Sequence, residues 1–283
     1  MWAGDRLGGW VLQQGVAHSQ FRYSRLYQGR AQADVLLLGN SRGLIFYQPE
    51  IERQSGLRSM NFSYNALSID LGRVLVLDWL DRYGKSGELL LIDVTMCDRT
   101  NDPLVASFNT YRHWSARLDS LIRRRVPKAW WGGVLSHLFR YNSELFQRAL
   151  FYLWHSDEDW LLDRIITPRM KQANEHALPY AITTQTYLME QLATLVCEAQ
   201  ARGVHVRLLI NPYWPPFAAR ITNLAEFKHQ VEQATGLPVW DYSTALRGDH
   251  LFGDYQHVNK AGAARYVQLL VKDGILPSAA ADK

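Results

Sequence analysis

The sequence predicts an α/β domain in which a parallel sheet lies between two helical layers. Three observations lead there. Residues 34–38, 88–94 and 204–210 are short continuous apolar runs, the composition of strands buried on both faces. The longer stretches between them place apolar side chains at helical spacing. Strand and helix also alternate along the chain, which implies βαβ units and parallel pairing.

Taken in order, the first strand is residues 34–38, closed by Gly39, and residues 57–62 form a weaker second strand. Residues 70–83 read as a helix through Leu71, Val74, Leu75, Leu77 and Leu80, with Gly84 as its stop. Residues 88–94 are the clearest second buried strand. A helix over 184–202 puts Leu188, Leu192, Leu195, Val196 and Ala199 on one face, with Gly203 just past its end. The strand at 204–210 stops at Asn211-Pro212. A helix over 217–234, a short strand at 238–241 and a final helix over 261–271 complete the series. In such sheets ligands bind beyond the carboxyl ends of the strands, so the residues after each strand are the candidates for chemistry.

Residues 102–180 interrupt the rhythm. They are helical in pattern and hold Trp114, Trp130, Trp131, Trp154 and Trp160, five of the ten tryptophans. The expectation is a single domain over 1–283, with 102–180 inserted between the third and fourth strands as a helical cap over one end of the sheet. The alternative is that these aromatics pack only the insertion's own core.

Composition narrows the function classes. With 283 residues, 47% hydrophobic and 20% charged, the chain has material for a sizeable core and is neither disordered nor fibrous. The net charge of +4 is not gathered into a stripe beyond Arg123-Arg124-Arg125, so no nucleic-acid partner is expected. Cys97 and Cys197 permit one disulfide at most and exclude a four-cysteine zinc site. No apolar run reaches the roughly 18 residues of a membrane span. The opening Met1-Trp2-Ala3-Gly4-Asp5-Arg6 lacks the shape of a signal peptide.

Two short blocks carry chemistry. After the first strand comes Gly39-Asn40-Ser41-Arg42-Gly43, which places a serine hydroxyl at the carboxyl edge of the sheet, near backbone N–H groups that favour a developing anion. The same serine also suits a plain helix N-cap in a tight turn. Far downstream, after the last strand and before the last helix, lies Asp254-Tyr255-Gln256-His257. Asp and His three residues apart in one helical turn project to the same side. The carboxylate then holds the imidazole Nδ1–H and leaves Nε2 to accept a proton from a nucleophile. An exposed turn ahead of a helix is the alternative.

Together these blocks resemble the SGNH/GDSL hydrolase superfamily, in which a nucleophilic serine follows the first strand and D-x-x-H lies near the C-terminus. Asn61-Phe62-Ser63-Tyr64-Asn65-Ala66 is a weaker third match, to the family's N-x-S/G-x-x-G. The resemblance implies a three-layer α/β/α flavodoxin-like fold and ester chemistry without a cofactor or metal. It implies Ser41, His257 and Asp254 as catalytic residues, Ala66 and Asn65 as oxyanion donors, and Arg42 facing solvent in the crevice or binding an anionic sugar.

The departures are informative. Asn40 replaces the usual Asp, Ala66 stands where the family has a glycine, and Ile92-Asp93-Val94-Thr95-Met96-Cys97-Asp98 replaces G-x-N-D. An oxyanion donor of that kind, where tested, contributes about 100- to 1,000-fold in rate. The chain is closest to the branch similar to bacterial polysaccharide O-acetyltransferases of the alginate type, where "D-x-x-H-x-N-x-x-G-A" recurs. That branch implies an acylated carbohydrate or related ester as substrate, membrane-anchored or envelope assembly partners, and a periplasmic or cell-envelope location. The sequence itself leaves a cytoplasmic location open. The rival is a carbohydrate-binding or assembly protein on the same fold whose chemistry is weak.

Other candidates rank lower. His250 follows Asp249 and competes with His257 for the base. His113, His137, His155, His176, His205 and His229 lack ligand spacing for a metal. Cys97, at a strand end with no nearby histidine, is expected to be a buried inert thiol.

Overall fold

Five parallel strands form one sheet in the order β2-β1-β3-β4-β5: β1 (Val35–Leu38), β2 (Ser59–Asn61), β3 (Leu89–Asp93), β4 (His205–Ile210) and β5 (Val239–Asp241). This is the doubly wound flavodoxin-like order, whose reversal of direction lies between β1 and β3. The computed structural model describes residues 2–157 and 160–279. In register, Leu36 faces Leu90 and Ile92 faces Leu208, all wholly or almost wholly buried, as continuous apolar strands require.

Helices α1 (Trp2–His18) and α2 (Arg22–Tyr27) precede the sheet. Helix α3 (Gln48–Ser55) joins β1 to β2, and α4 (Ile69–Tyr83) joins β2 to β3. Between β3 and β4 come α5 (Asp102–Ser107), α6 (Ala116–Arg125), α7 (Pro127–Leu135), α8 (Glu144–Phe151), α9 (Pro168–Glu175) and α10 (Thr186–Gln200). Helices α11 (Pro215–Ala218) and α12 (Leu224–Thr235) lead to β5, and α13 (Lys260–Lys272) ends the series. Right-handed crossovers place α3 on one face of the sheet and α10 and α12 on the other. The packed pairs agree: α3 touches α13, and α10 touches α12.

The single helix expected over 217–234 is two helices. Residues between α11 and α12 are drawn into a parallel bridge, in which Tyr180 N donates to Arg220 O at 2.9 Å and Thr222 N to Tyr180 O at 2.9 Å. The Asn223 side chain extends it, accepting from Ile182 N at 2.8 Å and donating to Ile182 O at 2.9 Å. These bonds to the chain at 180–182 replace helical ones.

The chain divides into two compact units. One comprises Met1–Gln32, Arg73–Gly84 and Asn101–Asp157; the other, with the sheet, comprises Ala33–Gly72, Lys85–Thr100 and Glu158–Lys283. The segment 102–180 is therefore shared between them. The first unit has its own aromatic core, with Tyr23 and Phe108 ring centroids 4.8 Å apart and Tyr111 beside both. A buried Arg22–Asp157 pair crosses it, with Nε to Oδ2 at 2.9 Å and Nη2 to Oδ1 at 3.0 Å.

Candidate active site

The turn after β1 is built by close packing. A Cβ on Gly39 would sit 2.7 Å from Gly43 Cα, and one on Gly43 would sit 2.3 Å from Ser63 Oγ, so neither position admits a side chain without movement. The short 3₁₀ helix Ser41–Ile45 begins here. Asn40 is its cap, accepting from Arg42 N at 2.9 Å. Because Asn40 takes the capping role, the Ser41 hydroxyl is not spent as an N-cap.

That hydroxyl lies 2.9 Å from His257 Nε2. On the far side of the ring, His257 Nδ1 lies 2.8 Å from Asp254 Oδ1 and 3.0 Å from Oδ2. The loop carrying this pair is not the helical turn expected from the spacing. It is a tight loop between the bridged residues Phe252 and Val258, closed by Gly253 N donating to His257 O at 2.9 Å. Asp254 Oδ1 also accepts from the backbone N–H groups of Gln256 and His257, each at 2.9 Å. One carboxylate thus folds the loop and orients the imidazole. Burial raises the Asp254 carboxyl, but the bond and charge of His257 with these two N–H groups outweigh it and hold the carboxyl below its usual range. Arg164 Nη2, 3.7 Å from Oδ2, adds a cation from a segment 90 residues away in the chain.

The loop is anchored to α13 by Asn259, which accepts from Gly262 N at 3.0 Å and donates to His250 O at 2.8 Å. A Cβ on Gly262 would lie 2.1 Å from Leu251 O, which explains a glycine one turn into that helix.

Arg42 borders a polar cavity beside Ser41 but is almost wholly buried. It is 2% exposed, with its guanidinium carbon 3.3 Å from the Tyr213 ring centroid. Nε donates to Thr95 Oγ1 at 3.2 Å, Nη1 to Gln256 O at 3.1 Å, and Nη2 to Asn211 O. Nε also lies 3.6 Å from Asp93 Oδ2. Asn211 Nδ2 returns a bond to Arg42 O at 3.0 Å. The reason is geometric: residue 42 follows β1, an interior strand beside β3, where the ends of β3 and β4 supply Thr95 and Asn211 as acceptors. Burial pushes the Asp93 carboxyl up despite the adjacent guanidinium. Arg42 therefore ties the strand ends to the loop that carries His257 while bordering the polar cavity.

Ser41 opens on two cavities. One, of about 210 Å³, is lined by Ser41, Asp254 and His257 together with Leu44, Ile45, Asn65, Trp160, Leu161, Leu162 and Val258, and is mostly apolar. The other, of about 140 Å³, shares Ser41 but is lined by Arg42, Ala66, Thr95, Asp98, Arg99, Tyr180 and Gln256 among others, and is mostly polar. Asn65 and Ala66 are thus brought to Ser41, in the turn after β2. Ala66 has φ 54°, alone among the described non-glycine residues in having positive φ, and this is the conformation a glycine would adopt freely. Of the five tryptophans in 102–180, Trp160 lines the apolar cavity, its ring 5.5 Å from that of Tyr64. Trp114, Trp130, Trp131 and Trp154 belong to the other unit.

The lesser candidates separate cleanly. His250 is exposed, and its neighbour Asp249 is engaged by Lys171 and by Trp214 Nε1 at 2.8 Å. Cys97 is fully buried, and burial pushes its thiol up, leaving it protonated. Trp160 is one of the five tryptophans of the expected cap, whereas Leu161 and Leu162 carried no specific signal in sequence, being apolar residues in an irregular stretch. Among the described residues, no group of three or more His, Cys, Asp or Glu could hold a metal ion.

No family model matches the chain, and no curated protein matches it. Solved structures similar to it include a "putative acylhydrolase" from Bacteroides fragilis, at 11% identity and a TM-score of 0.39, covering 85% of each chain. A GDSL-like lipase from Bacteroides thetaiotaomicron aligns at 10% identity and a TM-score of 0.39, over 85% of this chain and 86% of that one. Likenesses of this size say nothing about individual residues.

Proposed function

We propose that the chain performs serine-dependent acyl-ester chemistry. The observation that carries this is the linear array Ser41 Oγ, His257 Nε2, His257 Nδ1, Asp254, with links of 2.9 and 2.8 Å. Ser41 Oγ attacks the ester carbonyl while its proton passes to His257 Nε2. Asp254 steadies the imidazolium that forms. The tetrahedral intermediate expels the alcohol, which takes the proton from Nε2, and the acyl group stays on Ser41. Water, or an acceptor hydroxyl, then gives its proton to His257 and releases the acyl group. Backbone N–H groups at Ser41 and Ala66, with the Asn65 amide, are the proposed oxyanion donors.

The two cavities suggest how an ester lies. The apolar one suits the acyl chain, and the polar one, with Arg99, Asp98 and Gln256, suits the alcohol. A glycosyl alcohol would fit the second, and Trp160 offers a flat face at the rim of the first. Transfer to a sugar rather than to water needs an acceptor held at high effective molarity. A carbohydrate acceptor and an envelope location belong to the same proposal.

The test is direct. Ser41→Ala should abolish turnover of a short-chain aryl ester and labelling by a fluorophosphonate, with the melting temperature kept. Full activity in that variant, or wild-type protein that never labels, would sink the proposal and favour a binding protein on this fold. With an activated acyl donor and an oligosaccharide panel, acylated sugar against free acid separates transferase from esterase.

A further inference from the structure

The unit formed by Met1–Gln32, Arg73–Gly84 and Asn101–Asp157 differs sharply from its partner in charge. It carries 14 Lys and Arg against 7 Asp and Glu, a net +7, whereas the sheet-bearing unit is net −3. It also holds ten of the fourteen large apolar side chains that remain exposed among the described residues, though it is little more than a third of the chain. Charge and exposed apolar area coincide in one unit.

Helix α1 shows how the area arises. Its buried positions are Gly9 and Val16, and a Cβ on Gly9 would meet His137 Cβ at 2.4 Å, so α1 lies close against the chain that follows α7. Asp5 fixes that contact, accepting from Ser136 Oγ at 2.5 Å and His137 N at 2.8 Å. Although Val16 is buried, several of the larger apolar side chains of α1 fall outside. Leu7, Trp10 and Val11 are exposed by 64, 56 and 54%, on a stripe that bears no charge. This inverts the usual amphipathic pattern of a helix on a folded unit.

Helix α7 repeats it. Lys128, Trp131 and Leu135, at positions i, i+3 and i+7, form its outer stripe, with Trp131 56% and Leu135 73% exposed. Leu138, half exposed itself, lies against Gly8 of α1, so the two stripes meet at this seam. Immediately before α7, Arg123 and Arg124 are exposed at the end of α6. Among the described residues, neither they nor Lys128 pair with a carboxylate.

We infer that this surface docks on an anionic lipid bilayer. Tryptophan is the side chain best suited to the headgroup layer, where its ring is sheltered and its N–H stays polar. Exposed leucine and valine between the tryptophans would enter the acyl boundary, and unpaired basic residues beside them would meet lipid phosphates. Among the described residues no helix is long and apolar enough to cross a membrane, and the inferred contact is that of side chains lying along the surface.

The experiment is co-sedimentation of the whole chain with vesicles of phosphatidylcholine alone and with about a third phosphatidylglycerol. The wild type should partition onto the anionic vesicles, and added salt should weaken it. At roughly fivefold per basic residue, Arg123→Gln/Arg124→Gln/Lys128→Gln should lower the partition coefficient about 100-fold. Trp10→Ala/Trp131→Ala should weaken it separately, at unchanged charge. Surface changes of this kind leave the melting temperature near wild type, which controls for folding. Equal partition onto both vesicle types, no partition at all, or binding unaffected by either variant would overturn the inference. So would a dimer in sedimentation velocity that dissociates in Trp10→Ala/Trp131→Ala, since a second copy would then cover the stripe.

Discussion

Replacing Arg42 with Met should cost stability in a way that depends on pH, because it strips the guanidinium from a buried carboxylate. Asp93 is fully buried, and Arg42 Nε lies 3.6 Å from its Oδ2. Removing one partner of a buried pair costs about 3–5 kcal/mol, because the survivor is left uncompensated. For a chain of this size each kcal/mol moves Tm by about 2–4 °C, so the variant should melt roughly 6–20 °C lower. Burial already holds the Asp93 carboxyl above its unfolded value. A carboxyl raised in the folded state binds its proton more tightly there, so its contribution is full at low pH and is lost as pH rises through the folded value. Without Arg42 the shift grows, and the gap from wild type should be wider at pH 8 than at pH 5. Adding Asp93→Asn removes the orphaned charge and should recover about half of the lost stability at pH 8. Chemical denaturation of wild type, both single variants and the double variant at the two pH values measures all of this as a double-mutant cycle. A deficit equal at both pH values, with no recovery from Asp93→Asn, would refute the charge argument and leave Arg42 as a hydrogen-bond donor only.

Four further outcomes follow from the site. Asp254→Asn should lower kcat on an aryl ester by about 10³- to 10⁴-fold with little change in KM, since the imidazole loses its orienting carboxylate; an unchanged kcat would remove Asp254 from the array. In the wild type, the lowered Asp254 carboxyl contributes stability above its unfolded value that disappears only as pH falls through the lower folded one, so an Asp254→Asn variant should differ in stability at pH 7 and converge with wild type in acid. Ala66→Gly should leave activity intact and stability within about 1 kcal/mol, because relief at φ 54° roughly offsets glycine's greater unfolded-state freedom; a tenfold loss in kcat would mean that the methyl itself shapes the oxyanion turn. Leu161→Trp should narrow the apolar cavity and shift preference toward short acyl chains, lowering the octanoate-to-acetate ratio of kcat/KM about tenfold; a constant ratio would place the acyl chain elsewhere.

The sheet was legible because its signal is local. Leu36, Leu37, Leu90, Leu91 and Leu208 are buried on both faces, and a strand of that kind shows as an unbroken apolar run. Strand ends also located Ser41 and the Asp254–His257 loop correctly, since both blocks abut elements whose pattern is strong. The conformation of that loop was not legible. A spacing of three suggests one helical turn, but Asp254 spends its carboxylate on two backbone N–H groups and closes a loop instead. The break between α11 and α12 was hidden for the same reason, because its cause is a bridge to Tyr180, 41 residues from Ile221 in the chain. Helix α1 escaped because Gly4, Gly8, Gly9 and Gly15 each lower helix propensity by about 1 kcal/mol relative to Ala, and the tight contacts of Gly8 with Leu138 and Gly9 with His137 are visible only in the fold.

Arg42 shows where the limit lies. Next to a serine in a short polar block, an arginine reads as a solvent-facing or ligand-binding cation, because most arginines keep the guanidinium in water. What buries this one is a set of acceptors 53, 169 and 214 residues away in the chain: Thr95 Oγ1, Asn211 O and Gln256 O. None of them leaves a mark near residue 42. Yet the same topology makes the burial intelligible afterwards, since β1 lies between β2 and β3 and the chain reverses its winding there. The residue directly after Ser41 must then enter the space beneath the converging strand ends. A cation in that space, with Asp93 opposite, holds Gln256 O and so fixes the loop that presents His257. The fold's switch point therefore does two things through adjacent residues: it exposes Ser41 to the cavities and buries the side chain that keeps His257 within 2.9 Å of it.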